Sequence, residues 1–116
     1  MSTPVTIWHN PRCSKSRETL ALLQDKGCEI TERRYLDAPP DADELRDALA
    51  LLGLPALGLV RQREAAFAEL GLSRDSSDDD LIAAMAANPR LIERPVVFAN
   101  GRAALGRPPS AVLAIL

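Results

Sequence analysis

The segment Ile7-Trp8-His9-Asn10-Pro11-Arg12-Cys13-Ser14-Lys15-Ser16-Arg17 runs from an apolar strand into a helix, with a cysteine at the join. Backbone N–H groups at a helix start and the positive end of the helix dipole favour S⁻ over SH. Cationic neighbours at Arg12, Lys15 and Arg17 act in the same sense. Such settings lower a cysteine pKa from roughly 8.5 toward about 3.5–7.5. A lone cysteine otherwise serves as a small buried hydrophobe, but polar and charged residues flank Cys13, which marks it as a reactive thiolate. Upstream, Val5-Thr6-Ile7-Trp8 reads as a buried strand. Downstream, a helix is predicted from about Ser14 to Lys26, with Leu20 and Leu23 on one face and Gly27 as its stop.

Working outward, Glu29 to Tyr35 reads as a second strand, and Pro39-Pro40 leads into Asp41, which pairs with Glu44 as a capping box. Leu45, Ala48, Leu49 and Leu52 form the buried stripe of the helix that follows, and Gly53 ends it. A looser stretch through Pro55 and Gly58 carries Leu59-Val60-Arg61. A short helix then holds Phe67 and Leu70, and a further helix over Ser77 to Asn88 stops at Pro89. Val96-Val97-Phe98-Ala99 and Arg102-Ala103-Ala104-Leu105 flank Asn100-Gly101, the strongest short hairpin signal, because both turn positions need positive φ. A short helix after Pro108-Pro109 closes the chain at Leu116. The order β-α-β, helical insertion, β-hairpin, α is similar to that of an α/β thioredoxin-like domain, a mixed sheet flanked by helices with the reactive cysteine just after the first strand. The second cysteine usual to that motif is replaced by Ser16, so a dithiol cycle within Cys13-Ser14-Lys15-Ser16 is impossible.

Composition bounds the reading. The 116 residues, 47% of them hydrophobic, fit one domain spanning 1–116, and the 3% aromatic content leaves the core to Leu, Ala, Val and Ile. A net charge of −2 exerts no global pull toward nucleic acid or an anionic membrane. Met1-Ser2-Thr3-Pro4 lacks a signal-peptide n-region, and no apolar run approaches the roughly 20 residues of a membrane span, so a cytoplasmic protein is expected. Cys13 and Cys28 are too few for a disulfide framework and lack zinc-ligand spacing with the single histidine, so no metal is implied.

Three arginines stand out against the basic residues, 12 of 14 of which are arginine. Arg61 follows apolar Leu59-Val60, Arg94 precedes Pro95, and Arg107 precedes Pro108-Pro109. Residues before proline are driven from the α region, and Pro95 is a candidate cis-proline. With Asn100-Gly101 as the turn, Ala99 pairs with Arg102 and Phe98 with Ala103, which sets Pro95 near Gly106 and Arg94 near Arg107. Two neighbouring guanidiniums facing a thiolate suit a tetrahedral oxyanion, which the arginine fork grips bidentately.

His9-Asn10-Pro11-x-Cys13, Arg61, Glu93-Arg94-Pro95-Val96-Val97 and Gly106-Arg107-Pro108 resemble, in order and spacing and over essentially the whole chain, the glutaredoxin-coupled arsenate reductases. That resemblance implies an oxidoreductase in which Cys13 attacks arsenate while Arg61, Arg94 and Arg107 bind the oxyanion. Glutathione then attacks the adduct as co-substrate, glutaredoxin supplies the second reducing step, and arsenite leaves. No bound cofactor is implied, and a monomer is expected. Arginines do not separate arsenate from phosphate, which has the same shape and charge, so phosphate is expected to compete.

His9, Ser16 and Arg17 are expected in supporting roles. A protonated His9 would depress the thiol pKa, while Ser16 and Arg17 would donate to the sulfur or the substrate or else face solvent. Arg12 stands where the well-known reductases carry a small residue, and the chain lacks the longer C-terminal extension of some members. Cys28 reads as structural, since a helix over 14–26 separates it from Cys13 by roughly 20 Å. The fold is also similar to Spx-type regulators, which bind RNA polymerase and switch through Cys-x-x-Cys. Ser16 argues against that switch. A thiol module acting on another oxyanion remains the other alternative.

Overall fold

Parallel and antiparallel ladders meet on the first strand. The structure, a computed structural model, describes residues 2–116. β1 (Pro4–Trp8) pairs in parallel with β2 (Glu29–Arg33), from Pro4 opposite Glu29 to Trp8 opposite Arg33. β3 (Val96–Ala99) runs antiparallel to β1, with Trp8 opposite Val96, and β4 (Arg102–Leu105) pairs with β3 in the register expected, Ala99 opposite Arg102. The resulting mixed sheet has the order β2-β1-β3-β4. This is the α/β thioredoxin-like arrangement. Asn100 and Gly101 adopt φ of 55° and 71°, as a two-residue hairpin turn requires.

The parallel crossover is α1 (Ser14–Asp25), with Lys26 as its C-cap and Gly27 beyond it at φ 70°. Strand alternation sends Val5, Ile7, Val97 and Ala99 to one face, where they pack with Leu23 of α1 and with Val112 and Ile115. Burying each valine, leucine or isoleucine of this cluster contributes about 1.5–3 kcal/mol. Cys28 packs partly against this cluster, in keeping with a structural role. On the other face Trp8 and Phe98 meet at a 5.0 Å centroid separation with their ring planes tilted by 56°, and the Arg33 guanidinium lies 5.7 Å from the Trp8 ring centroid.

The chain forms two compact units, one running to Ala38 and resuming as Arg94–Leu116, the other Pro39–Glu93. In the second, α2 (Ala42–Leu52) carries the expected capping box, with Glu44 N–H donating to Asp41 and the Glu44 carboxylate accepting from Asp41 N–H. Leu45, Ala48 and Leu49 are buried, Leu52 is half-buried, and Gly53 ends the helix at φ 68°. α3 (Ala65–Glu69) buries Phe67 but leaves Leu70 exposed. α4 (Asp78–Ala87) is capped by Ser77, and its last N–H partner is Asn88.

Two elements differ from expectation. β2 stops at Arg33, because the Arg34 carbonyl turns back to accept from Asp37 and Ala38 N–H. The closing helix, Pro109–Ile115, is wound 3₁₀, with Ala111 N–H donating to Pro108 O, which aligns Val112 and Ile115 three residues apart on one buried side. The Arg94–Pro95 peptide is cis as anticipated, and the Arg107–Pro108 peptide is cis as well. Among the described residues no helix is long and apolar enough to cross a membrane.

Candidate active site

The register assembles one end of the sheet. The carboxyl end of β1 is level with the start of β3 and the finish of β4, and Gly106 N–H donates to Pro95 O at 2.9 Å. The loop after β1, the cis-proline and both pre-proline arginines of this unit therefore gather where α1 begins. Cys13 is the N-cap of α1 at φ −94°, ψ 124°, with no acidic residue in the first turn to offset the dipole.

Burial pushes the Cys13 thiol pKa up. That push is outweighed by the Ser16 N–H donating to the sulfur, the charge of Arg94, the Lys15 N–H and a hydrogen bond from the Arg94 side chain, so the pKa falls below its ordinary value. The stabilising cation is thus Arg94 rather than Arg12, Lys15 or Arg17. Lys15 contributes its backbone N–H, Arg12 is exposed, and Arg17 is exposed with its Nη1 donating to Pro11 O at 3.0 Å. Arg17 holds the loop rather than the sulfur.

Ser16 and His9 also act differently from expectation. Ser16 is fully buried, and its hydroxyl lies 2.6 Å from His9 Nδ1 while accepting from Asn10 N–H at 3.0 Å. Its backbone, not its side chain, reaches the sulfur. His9 is 4% exposed. Burial lowers its pKa below 6.5; Glu32 opposes this, while Arg34 and Arg17 reinforce it. The imidazole is therefore neutral at neutral pH and orders Ser16 instead of charging the site. Asn10 completes the cage, its carbonyl accepting from Cys13 N–H and its side chain from Arg12 N–H, both at 3.0 Å.

Arg107 Nη1 donates to the Arg94 carbonyl at 3.3 Å, so the two arginines are neighbours as the hairpin register required. Arg61 belongs to the Pro39–Glu93 unit. Its N–H donates to Leu91 O and the Glu93 N–H donates to Leu59 O, each at 2.7 Å, a short ladder that fixes its backbone. Its Nη1 donates to Arg90 O at 3.1 Å, and its Nη2 lies 3.3 Å from the Glu64 carboxylate.

Sequence reasoning missed Thr19 and Glu64. Thr19 is fully buried and donates to Lys15 O at 2.8 Å, bracing the turn whose N–H groups meet the sulfur. Its signal was a polar residue three positions after Ser16 on the buried face of α1. Glu64 was marked only by its i+3 spacing from Arg61. Among the described residues no cluster of His, Cys, Asp or Glu is placed to hold a metal.

This geometry has close counterparts. An arsenate reductase from Vibrio cholerae superposes with a TM-score of 0.96 at 47% identity, each chain fully covered. The uncharacterized protein YfgD of Escherichia coli K12 is 52% identical over 100% of this chain and 99% of its own. The arsenate reductase of Neisseria meningitidis serogroup A is 47% identical over 97% of both. The sequence model of the ArsC family matches residues 8–115, and the chain belongs to that family.

Proposed function

We propose that this protein reduces arsenate to arsenite, with Cys13 as nucleophile and glutathione and glutaredoxin as reductants. The observation that carries the reading is a thiolate held by two backbone N–H groups and the Arg94 guanidinium, with Arg107 donating to the Arg94 carbonyl. A thiolate approaching an oxyanion is repelled unless fixed positive charge neutralises the substrate. Arg94 and Arg107 supply that charge, while Arg61 of the second unit enters on the family resemblance alone. Cys13 S⁻ attacks As(V) and one arsenate oxygen leaves as water. Glutathione then attacks the adduct, As(V) accepts two electrons, and two thiols become one disulfide, which glutaredoxin reduces. The arsenate reductase names of the relatives at Neisseria meningitidis and Rhizobium meliloti, 47% and 45% identical, support the same chemistry.

The test is arsenite release by purified protein with arsenate, glutathione and glutaredoxin, each omitted in turn. Turnover is expected to need all three and to vanish in Cys13→Ser, with phosphate competing against arsenate. Turnover retained in Cys13→Ser, or without any thiol, refutes the mechanism.

A further inference from the structure

A cleft of about 460 Å³ opens against the loop that ends on Cys13. It is lined by His9, Pro11 and Arg12 from that loop and by Arg34, Leu36 and Asp37 from the turn after β2. Its size falls within the roughly 300–1,000 Å³ of small-molecule sites. Arg12, Arg34 and Asp37 are exposed, and among the described residues none of their charged groups is engaged in an ion pair. The remaining lining is neutral. His9 is uncharged at neutral pH because burial lowers its pKa, and Leu36 and Pro11 offer apolar surface.

We propose that this cleft seats the reductant, a small peptide thiol with two carboxylates and one ammonium. The inference rests on the reductase reading for its physiological use and deepens it by locating the second substrate. Two guanidiniums match two carboxylates, each in the fork-to-fork geometry that arginine favours. Asp37 matches the ammonium. An inorganic oxyanion would satisfy the arginines and leave Asp37 facing a like charge, so the charge pattern selects a zwitterionic peptide. Glutathione has this set of groups. Bound there, it lies beside the Pro11-Arg12 peptide, one residue from the nucleophile, where its thiol can exchange with a sulfur species on Cys13.

The site can be tested without arsenate, through thiol–disulfide exchange. Cys13 S⁻ attacks one sulfur of oxidised glutathione, forming the Cys13–glutathione mixed disulfide and expelling one glutathione thiolate. One S–S bond breaks as another forms, with no net electron change. In a Cys28→Ser background, mass spectrometry gives the rate of this reaction for the parent protein, for Arg12→Ala/Arg34→Ala and for Asp37→Asn. Hydroxyethyl disulfide, which is uncharged, and dithiodiglycolate, which has the net charge of oxidised glutathione but no ammonium, serve as comparison disulfides.

The double variant is expected to react about tenfold more slowly with oxidised glutathione and within about twofold of the parent with hydroxyethyl disulfide. Asp37→Asn is expected to slow only oxidised glutathione. Equal losses with oxidised glutathione and dithiodiglycolate mean that the arginines merely steer anions, and they overturn the site. Losses with all three disulfides overturn it too, since they place the effect on the thiolate, and unchanged rates throughout show that the cleft holds nothing. Because arsenate is absent, a negative result here leaves the reductase reading standing, and failure of arsenate turnover leaves a positive result intact.

Discussion

Gly106→Ala tests whether close packing between the hairpin and α1 sets the thiolate's surroundings. A Cβ at Gly106 would lie 2.5 Å from Thr19 Oγ1, 2.6 Å from Pro95 Cγ and 3.1 Å from Pro95 Cδ. Neither neighbour is a flexible end. The Thr19 hydroxyl is tied to Lys15 O at 2.8 Å, and the proline ring is buried with its carbonyl bonded to Gly106 N–H. Overpacking of this kind costs about 1–3 kcal/mol. The stiffer unfolded chain of an alanine variant favours folding by about 0.4–1 kcal/mol, so steric repulsion wins by about 1–2 kcal/mol. An unfolding entropy of about 2.1 cal/mol/K per residue gives roughly 0.24 kcal/mol/K for the chain, so Tm should fall by about 4–8 °C in calorimetry. Relief of the clash moves Pro95 and its neighbour Arg94 away from the first turns of α1. The thiol pKa then rises, and alkylation of Cys13 at fixed pH slows. Adding Thr19→Ala removes one of the two obstacles and should recover part of the Tm. An unchanged or higher Tm with unchanged alkylation in Gly106→Ala refutes the reasoning.

Arg94→Ala removes both the charge and the hydrogen bond that favour the thiolate, so the midpoint of the alkylation rate against pH should move up, with Arg12→Ala as a control that leaves it in place. The buried His9 has a lowered pKa, so below 6.5 the unfolded chain binds more protons than the folded one, and stability should decline with falling pH by at most about 1.4 kcal/mol per unit. Urea unfolding at several pH values checks this, and a flat profile between 6.5 and the onset of carboxylate titration contradicts the neutral assignment. Glu64 accepts from Arg61 and Arg90, both at 3.3 Å, but Arg61 is 26% exposed and Arg90 76%. A double-mutant cycle should assign about 0.5–1 kcal/mol to the Arg61–Glu64 pair and less to Arg90–Glu64, because solvent screens the outer pair; a larger Arg90 term reverses that ranking.

The elements whose signals are local were legible in the sequence. Asn100-Gly101 set the β3–β4 register because only residues tolerant of positive φ close a two-residue turn, and that register alone brought Arg94 beside Arg107. Asp41 and Glu44 marked the start of α2 and Gly53 its end for equally local reasons. Cys13 was legible as a thiolate because a strand-to-helix junction exposes backbone N–H groups wherever it occurs. Which cation serves the thiolate was not legible. Arg12, Lys15 and Arg17 are near in sequence, yet all three are exposed, and the side chain that meets the sulfur comes from Arg94, some eighty positions along the chain. The protonation state of His9 was likewise a tertiary matter, since burial, not sequence neighbours, lowers its pKa, and its partner Ser16 lies two helical turns' worth of chain away. The end of β2 and the 3₁₀ winding of the last helix escaped for a related reason. Alternation and proline spacing mark where an element can run, whereas the hydrogen bonds at Arg34 and the packing of Val112 and Ile115 decide where it stops and how tightly it winds.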